Sequence, residues 1–583
     1  MTMHRWKSML LALPLSLAAG VQAPAQQAAD PTRNITSVTD AMLRNPPAGD
    51  WLMWRRSYDA WGYSPLEQIN KDNVKGLQVA WAWSMNNGAT ETTPIVHDGV
   101  LFLHNYSNKI QALNAATGDL IWEYKRDLPA RIVTQGGNLS SRNMAIYEDK
   151  LIFASSDAHI IALDVKSGKI VWDHTTADWT KGWRYTSGPF VANGMIVQGM
   201  QGCGNGQPGG CFITGHDPKT GEEKWRVNTV AQPGDPNDKT WNGLPLESRF
   251  GATAWISGSF DPAQNVVFYG TGQPYPWIAE MRGTVPKKEG FENNALYSDA
   301  TLAIDPNTGA LKWYRQHLPD DTWDMDYVYE RLLIDLPVNG QTRKALVTSG
   351  KLGMLEAIDR TNGEWLWHKE MVYQNLVTAV DPKTGAKTIN VALIPRNGQG
   401  VTTCPTNPGA RGWPATAYSP RTGNLYVPIN EYCSTITPLV LAPGQAYSGG
   451  GGATFKFMPV PNSDGNFGRV DAIKLSDQST AWSYRQRAPS SSAVLPTGGG
   501  VVFGGDVARY FRAFDESTGK VLWEMRLNNA VNSFPVSFTA NGKQYVAVAT
   551  GGGSGFLRSV QQLATEIKSP ESGSMLWVFA LPN

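Results

Sequence analysis

One phrase recurs along this chain and limits its fold more than any other feature. It reads ALNAATGDLIW ending at Trp122, ALDVKSGKIVW at Trp172, GHDPKTGEEKW at Trp225, AIDPNTGALKW at Trp313, AIDRTNGEWLW at Trp367, a degenerate AIKLSDQSTAW at Trp482 and AFDESTGKVLW at Trp523. Each copy joins a small residue and an apolar strand end to a polar turn whose glycine tolerates positive φ, then to a second strand closing on tryptophan. Before most copies stands a further run rich in β-branched or aromatic residues, such as GVLFLHN, KLIFASS and GVVFGGD. The unit is therefore a small antiparallel sheet.

Sheets that cannot bury both faces alone stack radially, which removes exposed edges. The intervals between the tryptophans are 50, 53, 88, 54, 115 and 41 residues, so two units carry insertions. With YSPLEQINKDNVKGLQVAWAW near the start and SMLWVFALP at the end, the count comes to eight. The expected fold is all-β, an eight-bladed β-propeller with tryptophan-docking repeats, whose first and last strands share a blade. Most of the 22 tryptophans are then packing residues.

The N-terminus carries Arg5 and Lys7, an apolar segment over residues 9–21 and small residues around Ala23 and Ala25. It reads as a secretory signal peptide over residues 1–25, leaving residues 26–583 as one propeller domain. No later stretch resembles a membrane span. A formal charge of +1 without dense basic runs argues against nucleic acid as a partner. In an exported chain the four cysteines are expected to pair locally, Cys203 with Cys211 and Cys404 with Cys433. No C-x-x-C-H is present, which excludes covalently attached haem.

The segment LPDDTWDMDYVYER sets Asp324 and Asp326 either side of Met325. In an extended strand, residues two apart share a face, so two like charges would converge on one point. Alone the stretch reads as a solvated loop. Its neighbours in the sequence change that reading.

The repeat with its terminal tryptophan resembles that of the pyrroloquinoline quinone (PQQ) dependent alcohol dehydrogenases over nearly the whole chain after the leader. TSGPFVANGMIVQG, FYGTGQPYPW and PDDTWDMD follow that family's order, and in detail the chain looks closer to its broad-specificity sorbose/sorbosone-type branch. The resemblance implies Asp324 as catalytic base and metal ligand, and Asp326 as the extra acid of lanthanide-dependent members. It implies Glu91, Arg142, Thr186, Trp255 and Lys351 at the quinone, and Gln273 as a metal ligand in the place of an Asn. A guanidinium suits a tricarboxylate cofactor and an indole suits a flat ring.

Departures accompany the match. Gly136 and Gly137 stand where many members have adjacent cysteines, Gly204 where they have a metal-binding Glu, Gly412 where an Asn is usual, and Ser491 near a pocket Trp. Asp326 is expected to replace the missing Glu, with calcium as the cation and a lanthanide as its alternative. The implied activity is periplasmic oxidation of an alcohol, expected to be bulky or secondary, a sugar or a polyol. Electrons pass to an external acceptor such as cytochrome c. The alternative is a non-catalytic propeller scaffold for protein interaction, which would have no need of the central polar residues.

Overall fold

The structure, a computed structural model, describes residues 31–134, 139–140, 142–204, 209–396, 398–440, 452–553 and 555–582. The predicted signal peptide and the Gly136/Gly137 pair lie outside the described residues. Pro31–Asn583 form one compact unit.

Eight four-stranded antiparallel sheets follow one another along the described residues. In the sheet Ile95–His97, Val100–Asn105, Lys109–Asn114 and Leu120–Lys125 the first two strands are buried along their whole length, and the fourth is exposed or half-buried everywhere but at Trp122. This gradient runs from apolar inner strands to a charged outer edge, which blunts the unpaired edge. The first sheet breaks sequence order. Gln78–Met85 pairs with Ser574–Ala580, Gln78 opposite Ala580 and Met85 opposite Ser574, and Lys543–Thr550 and Val536–Ala540 complete it. The chain's beginning and end therefore share a sheet, as the sequence predicts, and the fold is an all-β propeller.

The recurrent phrase has a cross-strand logic. Its small residue lies opposite its tryptophan, Ala112 against Trp122, Ala162 against Trp172 and Gly215 against Trp225, followed each time by a register shift. The indole then reaches the next sheet. Trp122 Nε1 donates to the Val165 carbonyl at 3.0 Å, Trp172 to Pro218 at 3.1 Å and Trp225 to Pro306 at 2.8 Å. Trp523 donates to Leu77 at 3.1 Å, beside the first sheet. The turn glycine makes room: at Gly168, with φ +66°, an ideal Cβ would stand 2.5 Å from the Trp122 ring. The degenerate copy breaks this pattern, for Gln478 takes φ +58° and the buried Trp367 indole N–H has no acceptor.

The two long intervals hold small accessory elements. One carries the paired strands Phe250–Gly251 and Pro274–Tyr275 and the helix Ala279–Arg282. The other carries a hairpin, Val377–Val380 with Lys387–Ile389, and a three-stranded sheet of Val401–Thr403, Tyr432–Pro438 and Ala453–Pro459. Both expected disulfides form, Cys203–Cys211 and Cys404–Cys433.

Candidate active site

Asp324 and Asp326 lie in the loop between Leu311–Gln316 and Leu332–Val338, as the stretch read alone suggests, but the loop is not solvated, for Asp326 is buried. Trp323 and Met325 are fully buried anchors, and Trp323 Nε1 donates to the Leu393 carbonyl at 2.7 Å. The Asp321 carboxylate accepts from Trp323 N at 2.8 Å and from Met325 N at 2.7 Å, straddling Asp324. Asp324 takes φ +65°, a left-handed conformation that costs a non-glycine residue roughly 1–2 kcal/mol. The loop thus reverses the side chain between two anchors, and the two acids converge for a different reason from pleating.

They converge on Lys351. Its Nζ lies 2.9 Å from Asp324 Oδ1 and 2.7 Å from Asp326 Oδ2. Its backbone N–H donates to the Met325 and Asp326 carbonyls, and Gly409 leaves room for its stem. Asn407 Nδ2 donates to Asp324 Oδ2 at 3.3 Å. Burial pushes the Asp324 carboxyl up to about 7, with Lys351 opposing and Asp326 assisting. Burial pulls the Lys351 ammonium down, but the two acids outweigh it and leave it well above its ordinary value.

A second cluster adjoins the first. Glu91 and Arg142 form a buried ion pair, Arg142 Nη1 donates to the Thr186 carbonyl at 2.9 Å, and its guanidinium lies 4.6 Å from the Trp255 ring centroid. The Thr186 hydroxyl donates to Gln201 Oε1 at 2.6 Å. Trp255 meets Tyr329 edge to face at 5.6 Å. Burial raises the Glu91 pKa and lowers that of Arg142, so each ionised partner is costly to hold here.

A cavity of about 310 Å³ links the clusters, lined by Glu91, Trp255, Asp324, Tyr329, Lys351 and Trp413 among others. Gly412 lines it too. Ser491 does not: it is fully buried with its hydroxyl on the Val531 carbonyl, so it adds no room to this cavity. Gly204 packs under the Tyr275 ring, 3.4 Å from an ideal Cβ. Phe556 and Arg558 at the cavity wall, Asn407, Tyr275 and Asp321 were not singled out by sequence reasoning. Of these only Asp321 carried a local signal, an aspartate three residues before Asp324.

The donor set fits a hard cation. Beside the Asp324 and Asp326 carboxylates, Gln273 Oε1 is buried with no hydrogen-bond donor, and its backbone N–H points to Asp326 Oδ1 at 3.4 Å. Both oxygens of the fully buried Asp299 are also without donors. Burial holds the Asp299 pKa well up, and Asp321, Asp326 and Asp324 add to the rise. Oxygen ligands with surplus negative charge around a single ammonium suit such an ion. The second cluster fits an anionic planar ligand, with Arg142 Nε buried and unpartnered and its guanidinium over the Trp255 ring.

Paired acids, a lysine and an arginine–indole platform meet at one cavity of the propeller, and comparison with known proteins gives the class and the family. A family model described as "Glucose/ethanol/alcohol dehydrogenase, beta-propeller domain", of the PQQ group, matches residues 51–373 and 374–546. The chain is 31% identical over 549 residues to the quinoprotein alcohol dehydrogenase PedH of Pseudomonas putida, covering 89% of each. It is 32% identical over 577 residues to the quinohemoprotein alcohol dehydrogenase of Comamonas testosteroni, covering 94% of this chain and 78% of that one. Among solved structures, a europium-containing methanol dehydrogenase superposes with a TM-score of 0.83 at 27% identity, over 93% of this chain and 99% of the other. The chain belongs to the PQQ-dependent alcohol dehydrogenase family and is a quinoprotein dehydrogenase by descent. These relatives bear the names of alcohol dehydrogenases and lend no support to the sorbose/sorbosone-type branch.

Proposed function

We propose that this chain is a periplasmic PQQ-dependent dehydrogenase that oxidises a bulky or secondary alcohol, sugar or polyol and hands the electrons to an external cytochrome c. The single observation that carries the reading is Asp324, turned into the cavity at positive φ and gripped by Lys351 and Asn407. In this reading the eight sheets are eight blades docked through their tryptophans, and residues 26–583 are one domain behind a signal peptide.

Glu91, Arg142, Thr186 and Trp255 would hold the quinone, and Asp324, Asp326 and Gln273 a calcium ion or a lanthanide. When bound, the quinone supplies a two-electron acceptor and the cation a Lewis acid. Asp324 takes the alcohol's hydroxyl proton on its carboxylate. Lys351 steadies one oxygen of that carboxylate and Asn407 the other, which fixes the approach of the hydroxyl. Trp255, Tyr329 and Trp413 wall the cavity and exclude water. At Gly412 in the wall an ideal Cβ would stand 3.1 Å from the Phe556 ring, so room for a larger alcohol on that side depends on Phe556 moving.

A scaffold has no use for a buried ion pair, nor for a buried and a half-buried acid on one lysine, which are expensive to retain. Reconstitution with PQQ and calcium, followed by dye reduction across a series of alcohols, tests the assignment. Activity that rises with alcohol bulk and disappears in Asp324→Asn is expected. No quinone binding and no turnover with any alcohol would return the chain to the scaffold reading, and a strict preference for methanol would end the large-substrate part.

A further inference from the structure

We infer that Tyr275 is a positioning residue of the cation site, a brace whose phenol holds the Gln273 amide so that its carbonyl oxygen stays open beside Asp326. The inference rests on the cation reading above and adds a residue to it.

Gln273 reaches its site on a flexible arm, and such a side chain keeps its rotamer freedom unless something holds it. One partner holds it. Gln273 Nε2 donates to the Tyr275 hydroxyl at 3.0 Å, and this leaves Oε1 buried with no donor. An amide committed through its nitrogen presents its oxygen as a free acceptor. With the partner removed, the amide is free to rotate and satisfy that oxygen elsewhere.

Tyr275 is itself rigidly seated. Its strand, Pro274–Tyr275, pairs with Phe250–Gly251. Gly251 N donates to the Cys203 carbonyl, and Cys211 N donates to the Gly251 carbonyl, so the disulfide loop is stitched to the same strand pair. At Gly251, φ is +92° and an ideal Cβ would lie 2.5 Å from Tyr275 N, so this approach needs glycine. The Tyr275 ring rests on Gly204 from that loop.

The test is calorimetric titration of the chelator-stripped full chain with calcium chloride, for wild type, Tyr275→Phe, Gln273→Ala and the double variant. Tyr275→Phe keeps the ring and removes only the hydroxyl, so the metal-free protein should keep its fold and lose no more stability than one hydrogen bond supplies. Calcium affinity should fall about 10–100-fold, the usual loss when the partner of a metal ligand is removed. In the Gln273→Ala background the same change should cost nothing further. Unaltered affinity in Tyr275→Phe overturns the brace while the functional reading stands. An equal loss in both backgrounds overturns it as well, since the phenol would then act without Gln273. If wild type itself bound no calcium, the cation reading and the brace would fall together.

Discussion

Asp324 owes its position to Asp321. The Asp321 carboxylate spends both oxygens on the backbone N–H groups either side of Asp324, and so stabilises a turn the acid would otherwise avoid. Asp321→Ala should therefore lower the thermal midpoint, because two buried N–H groups lose their acceptor at about 1–3 kcal/mol each. Turnover should fall with it, as the carboxylate leaves its alignment. Asp324→Asn should keep the fold and quinone binding while turnover drops about 10²–10⁴-fold, the usual worth of a positioned base. Single-turnover quinone reduction and differential scanning calorimetry on the two variants separate these outcomes. At this scale the sequence was informative where chemistry and chain neighbourhood coincide. Asp324 and Asp326 stand out as acids two apart, and Arg142 and Trp255 through ordered motifs. Asn407, Tyr275 and Asp299 were illegible because they arrive from accessory elements and loops, and only folding brings them near the acids.

At the scale of elements, the turn glycine and the tryptophan of the preceding sheet make one joint. Gly168→Ala combines positive φ with a Cβ 2.5 Å from the Trp122 ring, so the indole must shift and its bond to Val165 must stretch. A loss of about 1–3 kcal/mol, the usual penalty for forcing atoms into a packed site, is expected as a lower denaturant midpoint. The same joints were the most legible part of the sequence, because a small residue opposite a large one recurs at a fixed offset. The accessory strands were not, since they belong to no repeat. A second joint depends on pH. His97 Nδ1 lies 2.8 Å from Asp50 and Nε2 3.3 Å from Asp98, tying the leading segment to the second sheet. Burial lowers the His97 pKa, but Asp50 and Asp98 outweigh it and leave it above the ordinary 6.5. A raised folded-state pKa stabilises fully below 6.5, and that contribution is lost as pH rises through the folded value. The thermal midpoint advantage of wild type over His97→Gln should shrink accordingly as pH rises above 6.5.

For the whole molecule, the decisive contact is between Gln78–Met85 and Ser574–Ala580. A ribosome releases the first of these strands hundreds of residues before the second, so during synthesis its edge has no partner, however well the intervening sheets have formed. The first sheet cannot be completed until Ser574–Ala580 has emerged. A chain stopped short of Ser574 is therefore left with an open seam prone to pairing with its neighbours.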